Sequence, residues 1–412
     1  MTLFTHSQQR ESSIVRKRFL QGHSALMLVV GLVLVILATQ SAQAQTFTVL
    51  LNFNGSDGAW PYPTLTLDNA GNLYGTAYQG GYPDSVGVAF EVNPDGTETV
   101  LHNFSTGNGD GYWPFAGLTR TANGNLYGTT YYGGTGCNGQ GCGIVFELDS
   151  TGIETVLYRF MGGTADGCNP DGGVLRDGKG NLYGTTSQCG SSGYGTVWRL
   201  DTSGTETLLH NFTGGSKDGG NPGYGDLIRD RNGNLYGLAS AGGSTNYGTV
   251  WKLTKSGRLT VLHSFTGKDG AYPGGLVRDA TGTFYGTASS GGDTNCNPPS
   301  GCGTVWKVAE SAKFTVLHTF LGNDGVAPYA GVSRDEKGNL YGTTYYGGSS
   351  GEGIVFELRK GGKLTMLHSF TCASDGCYPI GGVVLDKNGN LYGAAHYGGS
   401  SGAYGTVWKL TP

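Results

Sequence analysis

The sequence predicts an all-β fold, a seven-bladed β-propeller built of four-stranded blades. Three observations lead to this prediction: a motif that recurs seven times, four strand-like runs in each copy, and chain ends that complement each other. The composition agrees, since 77 of the 412 residues are Gly and only 14% are charged. Such a chain is poor in helix formers and rich in residues that favour turns and strands.

The repeat is clearest in the motif Gly-Asn-Leu-Tyr-Gly and its variants, which recur at intervals of about 50 residues. Each copy contains four short runs of strand-forming residues, which we name a, b, c and d from the propeller axis outward. Examples of the four runs are residues 274–279, 339–344, 248–253 and 260–265. Four strands at this period are typical of propeller blades. Copies one to seven are numbered by the motif tyrosine: Tyr74, Tyr127, Tyr183, Tyr236, Tyr285, Tyr341 and Tyr392.

Two columns of the repeat have structural interpretations. In six copies Asp-x-x-Gly joins run a to run b, which suits a tight hairpin with Gly in a positive-φ conformation. Run c carries one aromatic residue in every copy, and we interpret this column as the packing between neighbouring sheets. The column consists of Phe90, Phe146, Trp198, Trp251, Trp306, Phe356 and Trp408.

The chain ends predict how the ring closes. Residues 46–53 form a lone d-type run, and residues 405–410 form a c-type run that has no d-type run after it. Pairing these two runs closes the ring and removes two exposed sheet edges. Residues 45–412 are therefore predicted to form a single seven-bladed domain.

Residues 1–44 are predicted to be a signal peptide. A basic stretch precedes an apolar run at residues 25–38, and Ala42-Gln43-Ala44 supplies the small-x-small pattern of a cleavage site. The apolar run is short for a bilayer-spanning helix, although an uncleaved N-terminal anchor is the alternative. We expect an exported protein, periplasmic or extracellular, without membrane insertion once the signal is removed.

The charge of the chain bears on its partners. The net charge of −4 is spread along the sequence, without a basic stripe or an acidic tail. Nucleic acid is therefore not an expected partner. We expect a monomer whose ligand is a glycan or another protein.

All eight cysteines fall in loops that a propeller places on one face, the b–c and d–a loops. An even number of cysteines in an exported protein predicts disulfides. The pairs close in sequence are Cys137 with Cys142, Cys168 with Cys189, Cys296 with Cys302, and Cys372 with Cys377. Zinc is the alternative, but His neighbours are missing, so we expect no metal and no cofactor.

Every d–a loop carries Asp-Gly-x-x-Pro, with the aspartates Asp57, Asp110, Asp166, Asp218, Asp269, Asp324 and Asp375. Each Asp stands alone in its motif, whereas calcium needs six to eight converging oxygens, so we interpret it as a turn residue that accepts backbone N–H bonds. His102, His210, His263, His318 and His368 share a column in run d. A side chain repeated around the ring is interpreted as a local hydrogen bond rather than as one catalytic base.

Aromatic residues in the loops are distributed unevenly around the ring. The fourth position after the motif tyrosine is aromatic or His in copies six, seven, one and two, and Ser in copies three to five. The fifth position is Tyr in copies six, seven and two, Gln79 in copy one, and small or polar in copies three to five. Because the ring closes, the four aromatic copies are contiguous. The predicted ligand-binding residues of this sector are Trp60, Tyr78, Trp113, Tyr131, Tyr132, Tyr345, Tyr346, Tyr378, His396 and Tyr397; Tyr272, in copy five, lies outside it.

An aromatic sector beside polar groups suits sugar rings, whose C–H faces stack on aromatics while their hydroxyls find polar partners. The sequence therefore favours a secreted, non-catalytic binding propeller. Two alternatives remain: loop-on-loop packing in a scaffold that binds a protein, or a propeller lyase or glycosidase. Catalysis would need converging acid and base groups, and only scattered candidates exist (His396, Asp110, Asp57 and Arg159). No catalytic residue is assigned.

In the pairing of Gly-Asn-Leu-Tyr-Gly-Thr-Thr-Tyr-Tyr-Gly-Gly with Gly-x-Val-Phe/Trp-x-Leu, the sequence resembles the GloVer-type tandem-repeat proteins of bacteria, the "choice-of-anchor" surface proteins. The resemblance covers essentially all of residues 45–412. It implies an exported, propeller-like protein and brings no established activity. The sequence ends at Thr411-Pro412 without a C-terminal anchor, so we expect no surface attachment by that route.

Overall fold

The computed structural model describes residues 45–107, 109–223 and 225–411, and residues 46–411 form one compact unit of antiparallel sheets. Seven four-stranded blades make up a β-propeller, which confirms the predicted fold class. The predicted signal peptide, residues 1–44, lies outside the described residues. The described part of the chain contains one short 3-10 turn, Cys137–Gly139, and no helix that could cross a membrane.

The strands of each blade follow the order a-b-c-d. In blades 1 to 3 they are Thr66–Leu67, Leu73–Gln79, Val88–Val92 and Glu98–Asn103; Thr119–Arg120, Leu126–Thr130, Ile144–Leu148 and Glu154–Arg159; and Leu175–Arg176, Leu182–Thr186, Thr196–Leu200 and Glu206–Asn211. In blades 4 and 5 they are Ile228–Arg229, Leu235–Ala239, Thr249–Leu253 and Leu259–Ser264; and Ala271–Arg278, Thr283–Ser290, Thr304–Ala309 and Phe314–Thr319. In blades 6 and 7 they are Ser333–Arg334, Leu340–Thr344, Ile354–Leu358 and Leu364–Ser369; and Val384–Leu385, Leu391–Ala395, Thr406–Thr411 and Thr46–Asn52.

The ring closes through the first and last strands of the described chain. Thr46 pairs with Thr411 and Asn52 pairs with Thr406, so the N-terminal strand supplies strand d of blade 7. This confirms the predicted closure. Both sheet edges that would otherwise be open are used in the pairing.

The aromatic column of strand c packs between blades, as predicted. Trp198 pairs in register with Gly184 of strand b, and a Cβ on Gly184 would overlap its ring, so the motif needs Gly there. A Phe at the end of each strand d contacts the next blade's c-strand aromatic, as Phe160 contacts Trp198 at a centroid distance of 5.7 Å. The seven phenylalanines are Phe53, Phe104, Phe160, Phe212, Phe265, Phe320 and Phe370, all at most 1% exposed. Each such pair adds about 0.5–1.5 kcal/mol beyond the burial of its area.

The a–b hairpins are held by their Asp residues. The Oδ1 atom of Asp177 accepts the backbone N–H groups of Lys179 and Asn181, at 2.9 and 3.0 Å. The hydroxyl of Tyr183 donates to its Oδ2 atom at 3.1 Å. Burial opposes ionisation, but the hydrogen bonds outweigh it and lower the pKa of Asp177. The repeated Asp and Tyr are therefore structural.

The Asp-Gly-x-x-Pro aspartates cap turns, as predicted. The Oδ1 atom of Asp269 accepts the backbone N–H of Thr266 at 2.8 Å, and its Oδ2 atom lies 3.0 Å from Nε2 of His263. The same His–Asp hydrogen bond recurs at His210–Asp218, His318–Asp324 and His368–Asp375. The histidine column is thus a local hydrogen-bonding device.

The cysteines form the four predicted disulfides. They are Cys137–Cys142, Cys168–Cys189, Cys296–Cys302 and Cys372–Cys377, and none of the eight cysteines is free. Cys168–Cys189 ties the d–a loop of blade 3 to its b–c loop, and the other three bridges each brace one loop.

Candidate functional site

The d–a and b–c loops of each blade lie side by side. Short antiparallel ladders join them: Ala59–Pro61 pairs with strand b of blade 1, Gly111–Tyr112 pairs with Tyr132–Gly133, and Gly167–Cys168 pairs with Gln188–Cys189. In blades 4, 6 and 7 a single β-bridge joins the d–a loop to the b–c loop. In blade 5 strand a is longer and pairs with strand b along this stretch. Both loop sets therefore build one face, on which the predicted aromatics are neighbours.

The residue before the proline of Asp-Gly-x-x-Pro is left-handed in every blade, with φ between 53° and 59° at Trp60, Trp113, Asn169, Asn221, Tyr272, Ala327 and Tyr378. Asn tolerates this conformation, whereas a bulky side chain in it is a strained outlier that costs about 1–3 kcal/mol. At Trp113 the backbone is fixed by two hydrogen bonds, from its N–H to the Val86 carbonyl and from the Tyr131 N–H to its own carbonyl, both at 3.0 Å. The strain is thus imposed by the loop.

The predicted aromatics form one continuous set of ring contacts across blades 6, 7, 1 and 2, which we call the aromatic arc. Successive ring centroids are 4.8 to 6.2 Å apart along the path Tyr329, Tyr345, Tyr378, Tyr397, Trp60, Tyr78, Phe115, Tyr131, Tyr132 and Trp113. Tyr346, His396, Tyr62 and Tyr112 join it from the side. All ten residues predicted from the sequence belong to the arc.

Blades 3 to 5 carry Ser at the fourth position after the motif tyrosine, where the arc has Tyr78, Tyr131, Tyr345 and His396. Ser187 Oγ donates to the Asn169 carbonyl at 2.8 Å, Ser240 Oγ to the Asn221 carbonyl at 3.0 Å, and Ser289 Oγ to the Tyr272 carbonyl at 3.2 Å. A small polar residue at this position therefore satisfies the loop backbone. Folding of the repeat does not require the aromatic residues that replace Ser in the arc.

The members of the arc differ in exposure. Tyr346 is 45% exposed and Tyr329 is 44% exposed, whereas His396 is only 5% exposed. His396 stacks on Tyr78 and has its Nδ1 atom 3.3 Å from the Pro61 carbonyl oxygen. Burial lowers the pKa of His396 to about 4, so the ring is neutral at neutral pH. His396 is therefore a buried member of the arc and does not contribute to its exposed surface.

Two tyrosines of the arc, Tyr345 and Tyr378, have raised pKa values. Burial and the surrounding tyrosine hydroxyls raise the pKa of Tyr345 to about 12. A hydrogen bond with Glu352, together with burial, raises the pKa of Tyr378 to about 12. Both hydroxyls keep their protons and are able to donate and accept hydrogen bonds.

The arc reaches the central channel through three residues that the sequence analysis missed. Tyr62, Phe115 and Tyr329 belong to the arc and also line a cavity of about 290 Å³ bounded by the inner segments of all seven blades. Each directly follows the motif proline, where the other blades have Asp171, Gly223, Gly274 and Ile380. The sequence could have indicated these three residues, because the aromatic members of this column fall in the same four blades as the arc.

The scattered catalytic candidates do not come together around His396, whose ring contacts are Tyr62, Tyr78 and Tyr397. His102, Asp110 and Glu154 lie elsewhere, with their ligand atoms within 4.8 Å of one another. Asp110 already accepts the backbone N–H of Ser105 at 2.9 Å. Asp110 therefore caps its turn as in the other blades, but His102 Nε2 lies 3.4 Å from Asp110 Oδ2 without a hydrogen bond, and Glu154 adds a second carboxylate.

A family model described as the Gloeobacter/Verrucomicrobia repeat matches residues 35–163, 138–297 and 294–412. The chain belongs to this family. The tandem-repeat resemblance seen in the sequence is thereby confirmed. No curated protein matches the sequence.

Solved structures show that the fold of this Gloeobacter/Verrucomicrobia repeat protein is shared widely. It is similar to a streptogramin B lyase structure with a TM-score of 0.60 and 12% identity, over 89% of this chain and 97% of that chain. It is also similar to the extracellular domain of a B. thetaiotaomicron protein described as a hybrid two-component system, with a TM-score of 0.56 and 13% identity, over 89% of this chain and 41% of that chain. Likeness at these identities concerns the fold alone.

Proposed function

We propose that this repeat protein is an exported, non-catalytic binding propeller that recognises glycan through the aromatic arc. The observation that carries the proposal is the unbroken contact of aromatic rings across four adjacent blades, at positions where blades 3 to 5 carry small or polar residues, Tyr272 excepted. Strain at Trp60, Trp113 and Tyr378 supports it, because left-handed bulky residues cluster at ligand-binding surfaces.

Sugar rings suit the chemistry of this surface. The C–H faces of a sugar stack on aromatic rings, and its hydroxyls need groups that both donate and accept hydrogen bonds. Tyr345 and Tyr378 keep their hydroxyl protons because their pKa values are raised to about 12. The arc thus combines apolar stacking area with neutral polar groups over several adjacent blades, which fits an extended oligosaccharide better than a single small molecule.

Export is supported by the disulfides and by the predicted signal peptide at residues 1–44. Disulfides persist in oxidising compartments and are rare in the reducing cytosol of bacteria. Four bridges with no free cysteine fit a protein that folds outside the cytosol. The proposal includes cleavage after Ala44.

The test is a glycan-array screen with residues 45–412 produced in an oxidising compartment, followed by affinity measurements on the strongest ligand. Trp60→Asn and Trp113→Asn install the residue that blades 3 and 4 carry at the same left-handed position, so the loop keeps its backbone. Each change should weaken binding by about tenfold or more, the value of one lost stacking platform, with the melting temperature within a few degrees of the wild type.

Tyr272→Asn is the matched control, because Tyr272 is left-handed and 48% exposed but lies in blade 5, outside the arc. It should bind as the wild type does. Loss of binding in the control, or unchanged binding in both tryptophan variants, would place the site elsewhere. An array without any bound glycan would refute the proposal and favour a protein-binding scaffold.

A further inference from the structure

Two acidic residues break the pattern of the channel wall. The residue two positions before strand a, or its counterpart within the longer strand a of blade 5, lines the channel in all seven blades: Thr64, Gly117, Gly173, Asp226, Gly275, Gly331 and Gly382. Neighbouring blades approach closely here, since a Cβ on Gly331 would lie 2.6 Å from the carbonyl carbon of Gly275. Five blades therefore have Gly, and Asp226 is an exception that the repeat does not need.

Asp171 is the second exception. It occupies the position after the motif proline in blade 3, next to the blade that carries Asp226. The Asp226 carboxylate rests against Gly173 of blade 3, and the Asp171 carboxylate rests against Gly223 of blade 4; a Cβ on either glycine would overlap the acid. The two carboxylates are thus accommodated by glycines of the opposing blade.

Neither acid has a cationic partner among the described residues. They are the charged side chains of the described channel lining, which contains no Lys, Arg or His. The Oδ1 atom of Asp171 is buried without a hydrogen-bond partner in the described chain. Desolvation raises the pKa of Asp171 to about 7 and also raises that of Asp226, although Asp226 itself is exposed to solvent in the channel. The channel wall offers neither carboxylate a counter-ion.

The remaining wall is aromatic. Tyr62, Phe115 and Tyr329 line the same cavity from blades 1, 2 and 6. Aromatic faces together with carboxylates are the surroundings that organic cations prefer, because the ring quadrupole and the acids both attract positive charge. The cavity, at about 290 Å³, is at the small end of ligand pockets, which suits a single sugar residue.

We propose that the channel binds the terminal residue of the glycan as an amino sugar with a free, protonated amine, and that Asp171 and Asp226 are the partners of that amine. This inference rests on the proposed function, since the arc would hold the rest of the oligosaccharide. It narrows the ligand from glycans in general to those with a cationic end.

The experiment compares two ligands that differ in the charge of the amine. Calorimetric titration of residues 45–412 with a glucosamine tetramer and with an N-acetylglucosamine tetramer, in buffer near pH 7, should show about tenfold or greater preference for the glucosamine tetramer. Asp226→Gly restores the residue that five blades carry, and Asp171→Asn removes the other charge. Both variants should lose the preference and keep the affinity for the acetylated tetramer.

Equal affinity of the wild type for both tetramers would overturn the inference, and so would a preference that survives in both Asp variants. Calcium binding that is lost in Asp226→Gly, without any preference for the amine, would also overturn it, because the channel would then hold a metal ion. If neutral glycans bind and Trp113→Asn abolishes their binding, the proposed function stands while this inference fails. If no glycan binds, the proposed function fails first.

Discussion

Tryptophan is an unusual residue in the left-handed region of the backbone map, and this chain places Trp60 and Trp113 there. The same position holds Asn169 and Asn221 in two other blades, whose side-chain amides donate to the carbonyls of Tyr131 and Ser187. Asn therefore suits both the conformation and the hydrogen bonding of the loop. The tryptophans are tolerated at a cost, which is why we assign them to binding rather than to folding.

Glu98 is a half-buried carboxyl group with a raised pKa, beside the turn where the closing strand departs from the repeat. Five blades have His in strand d beside the turn-capping Asp, but the closing strand has Leu51 there. Burial and the neighbouring Asp57 carboxylate raise the pKa of Glu98 to about 8 from its usual 4.5. Glu98 therefore holds its proton in the folded protein at neutral pH.

This arrangement predicts a pH-dependent stability. Between the unfolded pKa of 4.5 and the folded pKa of about 8, only the folded state holds the Glu98 proton, so stability from this residue falls as pH rises through that range. Glu98→Gln should therefore melt at a higher temperature than the wild type above pH 8, and at a similar temperature near pH 4. Melting curves across this range test it, with the exposed Glu336→Gln as control. A wild-type advantage at high pH would contradict the assignment.

At the level of elements, the sequence predicted strands b, c and d and the loops that hold the cysteines and aromatics. Strand a differs: six blades have only two residues in it, such as Thr66–Leu67, because the Gly-rich inner segments line the channel instead of pairing. The ladders between d–a and b–c loops were also not predicted. They depend on contacts between loops that carry no periodic pattern of their own.

Two of the disulfides allow a test of which loops serve the ligand. Cys372–Cys377 closes the loop that precedes Tyr378, while Cys296–Cys302 closes a loop of similar length in blade 5, outside the arc. Replacing either pair by Ala should cost about 2 kcal/mol of stability, because both loops are short. Only the Cys372→Ala/Cys377→Ala variant should bind glycan more weakly. Denaturant unfolding and calorimetry measure the two effects, and equal loss of affinity in both variants would contradict the assignment of the arc.

At the level of the whole molecule, closure of the ring makes the aromatic arc continuous. The arc runs from blade 6 through blade 7 into blades 1 and 2, and the Tyr397–Trp60 contact, at a centroid distance of 5.7 Å, crosses the junction where the chain ends meet. The sequence predicted this junction from its unpaired runs. It could not predict that Tyr62, Phe115 and Tyr329 converge on the channel, since that depends on how far each loop reaches toward the axis.

The closing strand should therefore be needed for folding and for binding alike. Deleting residues 45–52 removes strand d of blade 7 and exposes the edge of Thr406–Thr411. We expect the shortened protein to lose its cooperative melt and to self-associate, because an unpaired edge strand is a template for pairing with another chain. Size-exclusion chromatography and calorimetry test this against residues 45–412. A monomer with an unchanged melt would contradict closure by this strand.

The most direct test of the central claim is a crystal structure of residues 45–412 with the strongest ligand from the array. We expect sugar rings stacked on Trp60, Trp113 or Tyr346, with the oligosaccharide following the arc across blades 6, 7, 1 and 2. Sugar density over blades 3 to 5, or on the opposite face of the propeller, would contradict it.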